Sequence, residues 1–204
     1  MDSIWRKKTA KIAAEAGGSK WVDMCSGTGE TAAYLRRLAP PETEVYAVDL
    51  SEAMLDEAKK KPEAKNITFI VSDVKELAFE DNSIDLITIS FATRNINLSK
   101  EVLTETFAEF HRVLKPGGRF VNLETSQPSS SLIRSAFHAF VKLLVKPIGG
   151  AISGSYTGYA YLKHTIPRFY PADELSDIIK AAGFDKVEYQ RLIFGIAAIH
   201  QGIK

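Results

Sequence analysis

Apolar residues fall in short runs bounded by polar or glycine-bearing turns, and these runs alternate with stretches of helical spacing. Runs at 21–25, 44–49, 67–71, 84–91 and 119–124 predict strands. Between them, 31–38, 53–60 and 100–114 predict helices. Ser51 stands where an N-cap belongs, ahead of Leu55 and Ala58. Lys115-Pro116-Gly117-Gly118 predicts a helix stop, because proline ends a helix and glycine permits the turn. This alternation predicts an α/β fold with a mostly parallel sheet and helices on both faces. The tail differs: 173–182 predicts a helix closed by Gly183, and 187–192 with 194–200 predict an antiparallel pair at a sheet edge. No internal repeat, linker or low-complexity segment interrupts the pattern, so 1–204 is expected to form one domain.

Composition narrows the choices. The chain has 204 residues, 45% of them hydrophobic, enough to bury a sizeable core. With 26 Lys+Arg against 25 Asp+Glu, the net charge of +1 gives no electrostatic case for a nucleic-acid partner. The single cysteine, Cys25, excludes an internal disulfide and a cysteine metal cluster; no metal is expected. It also suggests a reducing compartment, so a cytoplasmic location is expected. No apolar run suits a signal peptide or a bilayer span.

Candidate chemistry begins at the first strand. Asp23-Met24-Cys25-Ser26-Gly27-Thr28-Gly29 runs from a strand through a tight glycine turn to a helix start. That geometry lets backbone N–H groups approach a ligand closely. No Gly-Lys-Ser/Thr follows, which excludes a nucleotide P-loop. Asp49, with Leu50 beside it, ends the second strand, where an acid can accept both hydroxyls of a ribose. Asp73 follows the third strand and can meet an adenine amine. A pyrophosphate would want N–H donors and no added negative charge. Three acids at successive strand ends instead fit adenosine joined to a cationic, amino-acid-like arm, the structure of S-adenosylmethionine. Met54, one turn into the next helix, is either a cover for the adenine or a core residue.

From these residues onward the chain resembles a known family. Arg112-Val113-Leu114-Lys115-Pro116-Gly117-Gly118-Arg119-Phe120-Val121-Asn122-Leu123-Glu124-Thr125-Ser126 resembles a signature of the UbiE-type C-methyltransferases of ubiquinone and menaquinone biosynthesis. Ser90-Phe91-Ala92-Thr93-Arg94-Asn95, Tyr159-Ala160-Tyr161-Leu162 and the ending Gly195 to Gly202 are similar to further family segments. The resemblance implies a Rossmann-like class I methyltransferase with a seven-stranded, mostly parallel sheet and an antiparallel edge strand. It implies cofactor contacts at Thr28, Asp49, Asp73, Val74 and Ser90, with S-adenosylhomocysteine as product. Asp23, Cys25, Gly27 and Gly29 join the cofactor set through the glycine turn. Members carry a leading segment with a Tyr-Asp-x-x-Asn motif before the tryptophan that Trp5 resembles. This sequence opens at Met1, which leaves the cover of the active site, and with it the acceptor, open.

The family methylates a ring carbon beside a phenolic hydroxyl. Arg94 is the candidate for stabilising the phenolate and Asn95 for hydrogen-bonding its oxygen. Among the four histidines, His164 is the candidate pocket histidine, amid Tyr156, Tyr159, Tyr161 and Tyr170. Residues 126–170 are expected to form an acceptor-binding or lid insertion. Within them, 132–148 read as an amphipathic helix: Arg134, His138, Lys142 and Lys146 recur every four residues, opposite Ile133, Phe137, Phe140, Val141 and Leu144. It suits either a core cover with a solvated basic face or peripheral contact with the inner face of a membrane that holds an isoprenoid-quinol substrate. A homodimer stays open. So do two alternatives to a quinol C-methyltransferase: a small-molecule O- or N-methyltransferase on a soluble acceptor, and a non-catalytic cofactor-binding partner subunit.

Overall fold

A computed structural model describes residues 2–145 and 162–204. Its sheet has seven strands: β1 Lys20–Met24, β2 Glu44–Asp49, β3 Thr68–Val71, β4 Ile84–Ser90, β5 Leu114–Thr125, β6 Asp185–Leu192 and β7 Ala197–Ile203. Their order is β3-β2-β1-β4-β5-β7-β6. The first five run parallel, and β7 lies antiparallel between β5 and the outermost β6. The order reverses between β1 and β4, the switch point at which ligands of such sheets bind, beyond the carboxyl ends of the strands.

Alternation along the strands splits the core. On β1, Val22 and Met24 join α5 (Lys100–Val113) and the C-terminal helix α7 (Ala172–Ala181), and Phe107, Phe110, Phe120 and Phe184 pack in this cluster with ring centroids 5.2–6.0 Å apart. Trp21 turns to the opposite face, with Ala10 and Ala13 of α1 (Asp2–Ala14) and Leu35 of α2 (Glu30–Leu38). Each fully buried large apolar side chain contributes about 1.5–3 kcal/mol. The predicted N-cap is present: the Ser51 hydroxyl accepts from the Met54 N–H at 3.4 Å, opening α3 (Glu52–Ala58).

Several boundaries differ from the expectations. The helix α1 has no counterpart among the predicted elements; its Ala-rich run before Gly17-Gly18 was the available signal. Helix α5 ends at Val113, and Lys115-Pro116-Gly117-Gly118 lies inside β5, taken up by a register shift against β4 between Ile84 and Leu86. The last strand starts at Ala197, not 194, because Ile193 and Phe194 adopt φ of 39° and 55°, and Phe194 is exposed. The predicted helix at 132–148 is α6 (Ser131–Phe140) followed by a π-turn at Val141–Val145. Within α6 no residue is fully buried; Ile133 and Phe137 are half-buried, and Val141 in the following turn is buried. Arg134 folds back onto the carbonyls of Pro128 and Ser129, and His138 bonds Gln127. Lys146, Tyr156, Tyr159 and Tyr161 lie outside the described residues, as does part of the 126–170 insertion. Among the described residues, no helix is long and apolar enough to cross a membrane.

Candidate active site

A cavity of about 520 Å³ opens across the carboxyl ends of β3, β2, β1 and β4. Ten of the residues singled out in the sequence line it: Cys25, Gly27, Thr28, Asp49, Leu50, Met54, Asp73, Val74, Ser90 and Asn95. Asp2, Arg6, Glu30, Phe91, Ala92 and Ile96 also line it and were not anticipated as site residues. Two non-glycine residues with positive φ border the cavity: Cys25 after β1 (φ 49°) and Phe91 after β4 (φ 57°). Strain of this kind gathers where backbone must turn to meet a ligand.

The glycine turn is held from both sides. Gly27 donates its N–H to Asp49 Oδ2 at 2.7 Å, and Ser26 donates to the Val48 carbonyl at 3.0 Å. Gly27 has φ 56°, and a side chain there would meet nothing within 4 Å, so its backbone borders open space. Gly29 does not line the cavity. It opens α2 with φ 74°, and a Cβ there would lie 2.8 Å from Ala58, so it lets α2 and α3 approach. The second carboxylate oxygen of Asp49, Oδ1, accepts from the Ser51 N–H at 2.9 Å.

Asp23 departs from the expected cofactor contact. Its carboxylate is buried beneath the turn, where it accepts from Ser26 Oγ at 2.9 Å, Thr88 Oγ1 at 2.7 Å and the Ala32 N–H at 3.2 Å. Thr88 is its register partner on β4, which explains the reach. Burial pushes its pKa up to about 6, against the opposing pull of these donors and of Arg6. Burial, with Asp49, Asp23 and Asp73 nearby, likewise pushes the Cys25 thiol up to about 12, so it is a protonated wall residue and no nucleophile.

Arg94 also departs from its expected role. It sits in the short helix α4 (Thr93–Ile96), buried, and does not line the cavity. Its guanidinium pairs with Glu124 Oε1 at 2.6 Å and bonds Thr125 Oγ1 at 3.0 Å, while its backbone N–H donates to Glu124 Oε2 at 3.0 Å. Thr93 donates to the Asn122 side chain. Four bonds to β5 thus fix the segment that carries Asn95. The signal for Glu124 was an acid directly after the apolar residues Phe120, Val121 and Leu123 of a strand. His164 is exposed and lines a different cavity, with His138, Lys142, Lys163, Pro167 and Arg168. Tyr170, the described member of its expected tyrosine cluster, bonds Asn97.

The description of the ubiE/COQ5 methyltransferase family matches residues 1–204. The chain belongs to this family. The ubiquinone/menaquinone biosynthesis C-methyltransferase UbiE of Desulfotalea psychrophila is 34% identical over 204 residues, covering 100% of this chain and 81% of the relative. The demethylmenaquinone methyltransferase of Geobacillus stearothermophilus is 36% identical over 203 residues, covering 98% and 85%. Among solved structures, an S-adenosylmethionine-dependent methyltransferase from Aquifex aeolicus superposes with a TM-score of 0.66 at 18% identity, over 100% of this chain and 98% of that one. Phosphoethanolamine N-methyltransferase 2 of Haemonchus contortus, solved with S-adenosyl-L-methionine, superposes at 0.68 with 17% identity, over 97% and 52%. At these identities the structures establish the fold alone.

This member of the ubiE/COQ5 family is therefore an S-adenosylmethionine-dependent methyltransferase of class I architecture. Its cavity fits that cofactor. Ser90 Oγ is buried at the cavity wall without a hydrogen-bond partner among the described residues, as expected of a group reserved for a ligand. The open face of Gly27 leaves room for close approach. The lining carries the carboxylates of Asp2, Glu30, Asp49 and Asp73, which suit a ligand with sulfonium and ammonium charges.

Proposed function

We propose that the chain methylates a ring carbon of a quinol-like acceptor, beside a phenolic hydroxyl. The observation that carries this reading is the cavity wall after β4. There Phe91, Ala92 and Ile96 offer apolar surface to a ring, and Asn95 lines the same wall. The names of the Desulfotalea and Geobacillus relatives, which specify C-methylation in quinone biosynthesis and methylation of demethylmenaquinone, support the same acceptor class.

S-adenosylmethionine, when bound, supplies a methyl group on a sulfonium, open to in-line attack. Gly27 and Thr28 would hold its amino-acid arm, Asp49 its ribose hydroxyls, Asp73 and Val74 its adenine, and Ser90 Oγ a polar group near the arm. The acceptor carbon becomes nucleophilic when its neighbouring hydroxyl loses a proton to solvent, because the charge spreads to the ortho position. The carbon then takes the methyl as the methyl–sulfur bond breaks, and its own hydrogen leaves to solvent as a proton, which restores the ring. The Asn95 amide donates to that oxygen as charge develops on it. Arg94 acts through the segment that carries Asn95, as a positioning residue braced by Glu124. Orientation of carbon against methyl is then the main contribution of the protein. Residues 126–170 would cover the acceptor and its tail.

The test is transfer of labelled methyl from S-adenosylmethionine to a short-chain demethylmenaquinol, with a soluble catechol alongside. Label on a ring carbon of the quinol is expected. Asn95→Leu should lower kcat by about 100-fold with little change in cofactor affinity. Label confined to the catechol oxygens would replace this reading with a soluble O-methyltransferase. Cofactor binding without any transfer would mark a partner subunit.

A further inference from the structure

We propose that Arg6 of α1 grips the carboxylate of the cofactor's methionine arm. The proposal rests on S-adenosylmethionine as ligand and is independent of the acceptor.

Charge accounting along the cavity leads to it. The ligand brings a sulfonium, an ammonium and one carboxylate. Of the four lining carboxylates, Glu30 is already paired with Lys61 at 2.6 Å and Asp2 with Arg6 Nε at 3.0 Å, so Asp49 and Asp73 answer the cationic groups. Among the described lining residues, Arg6 is the cation available to the carboxylate.

Position agrees with charge. The cavity crosses four adjacent strand ends, roughly 14 Å at about 4.8 Å per strand. Asp73 follows β3, Asp49 ends β2 and the glycine turn follows β1. With adenine at the first and ribose at the second, the arm runs past the third and its end falls beside β4. Arg6 stands there: its guanidinium Nη1 lies 3.3 Å from the Ser90 carbonyl and 3.3 Å from Thr31 Oγ1.

Arg6 is also built for a fixed grip. Its Nε donates to Asp2 Oδ1 at 3.0 Å, and its guanidinium lies over the Phe91 ring, 5.2 Å from the centroid. The Trp5 ring packs on the same Phe91, at 6.1 Å. The side chain is 17% exposed, so its planar fork is held partly out of water before any ligand arrives. A preorganised, partly desolvated guanidinium is the residue type that favours a carboxylate.

The test is titration calorimetry with S-adenosylmethionine and with its decarboxylated analogue, which keeps both positive charges. The unmodified protein should bind the first about 10- to 100-fold more tightly than the second, as expected for one charge-assisted contact. Arg6→Gln should abolish that preference by weakening the first ligand alone, and Arg6→Lys should restore part of it. Equal affinities in the unmodified protein would overturn the proposal. Equal losses for both ligands in Arg6→Gln would also overturn it, because that is the mark of a residue that merely holds α1 in place. Failure of the unmodified protein to bind either ligand would instead overturn the cofactor assignment.

Discussion

Two buried carboxylates stand at the same edge of the sheet, Asp23 ending the apolar run of β1 and Glu124 near the end of β5. They are 2% and 1% exposed, and neither lines the cavity. Each instead shapes the loop beside it. Asp23 gathers two hydroxyls and an amide and so ties the glycine turn to β4 and α2. Glu124 faces a guanidinium and the amides of Arg94 and Thr125, and so ties α4 to β5. The first loop borders the pocket proposed for the cofactor and the second the wall proposed for the acceptor. One buried acid is held by neutral donors and the other by a full charge. They should therefore respond differently to mutation.

The largest difference is expected on removing the charge at Glu124. Glu124→Leu leaves the Arg94 guanidinium buried without its partner, which costs about 3–5 kcal/mol. Adding Arg94→Met should recover much of that stability, since an apolar pair can replace a buried ion pair. Methyl transfer should stay low in the double variant, because α4 has lost both its anchor and the acceptor for the amide at position 94. Urea unfolding and a turnover assay read the two effects separately. Recovery of turnover together with stability would show that the ion pair is only structural.

The second difference is in pH dependence, and here the informative partner of Asp23 is His200. Asp23 has its pKa raised to about 6, so the folded state holds this proton more tightly than the unfolded state. Its contribution is full below about 4 and is lost as pH rises to about 6, a change of about 3 kcal/mol. His200 is buried on β7, with Nε2 2.8 Å from the Ala172 carbonyl, and burial lowers its pKa to about 4. Its contribution is full above about 6.5 and is lost as pH falls to about 4, again by about 3 kcal/mol. The two slopes oppose each other between pH 4 and 6. Asp23→Asn should unmask a fall in stability on acidification, and His200→Gln should unmask a fall toward neutrality. Parallel pH profiles for both variants and the unmodified protein would break this account.

The same contrast shows what was legible in the sequence. Strand ends were readable because apolar runs give way to polar or glycine-bearing turns there, and Asp49 and Asp73 follow from that, while Ser90 came with the family resemblance. The roles of Asp23 and Arg94 were not readable. Sequence places a side chain at a strand end, but burial decides whether it faces the ligand or the loop beneath. Thr88 and Glu124 decide it here, and both are register partners or neighbours across strands far apart in the chain. Arg6 was hidden for a related reason. Its helix shows little amphipathic periodicity, and its place over Phe91 depends on a left-handed turn after β4.

The smallest difference separates the two threonines that serve these acids. Thr88 is fully buried and gives its hydroxyl to Asp23 Oδ1 at 2.7 Å. Thr125 is half-buried and lies 3.0 Å from Glu124 Oε1, an oxygen that also accepts from the Arg94 guanidinium at 2.6 Å and the Thr125 amide at 2.7 Å. Thr88→Val removes the one hydroxyl bonded to Oδ1, so it should cost about 1–2 kcal/mol and push the Asp23 pKa further up. Thr125→Val also removes an acceptor of the Arg94 guanidinium, but it leaves that group on Glu124 and leaves Oε1 with two donors, one of them charged, so it should cost less than Thr88→Val, about 0.5 kcal/mol. Chemical unfolding at pH 8 measures the first pair of values, and the midpoint of the Asp23-dependent stability change measures the shift. A hydroxyl matters most where no cation stands behind it, and equal costs at the two positions would contradict that.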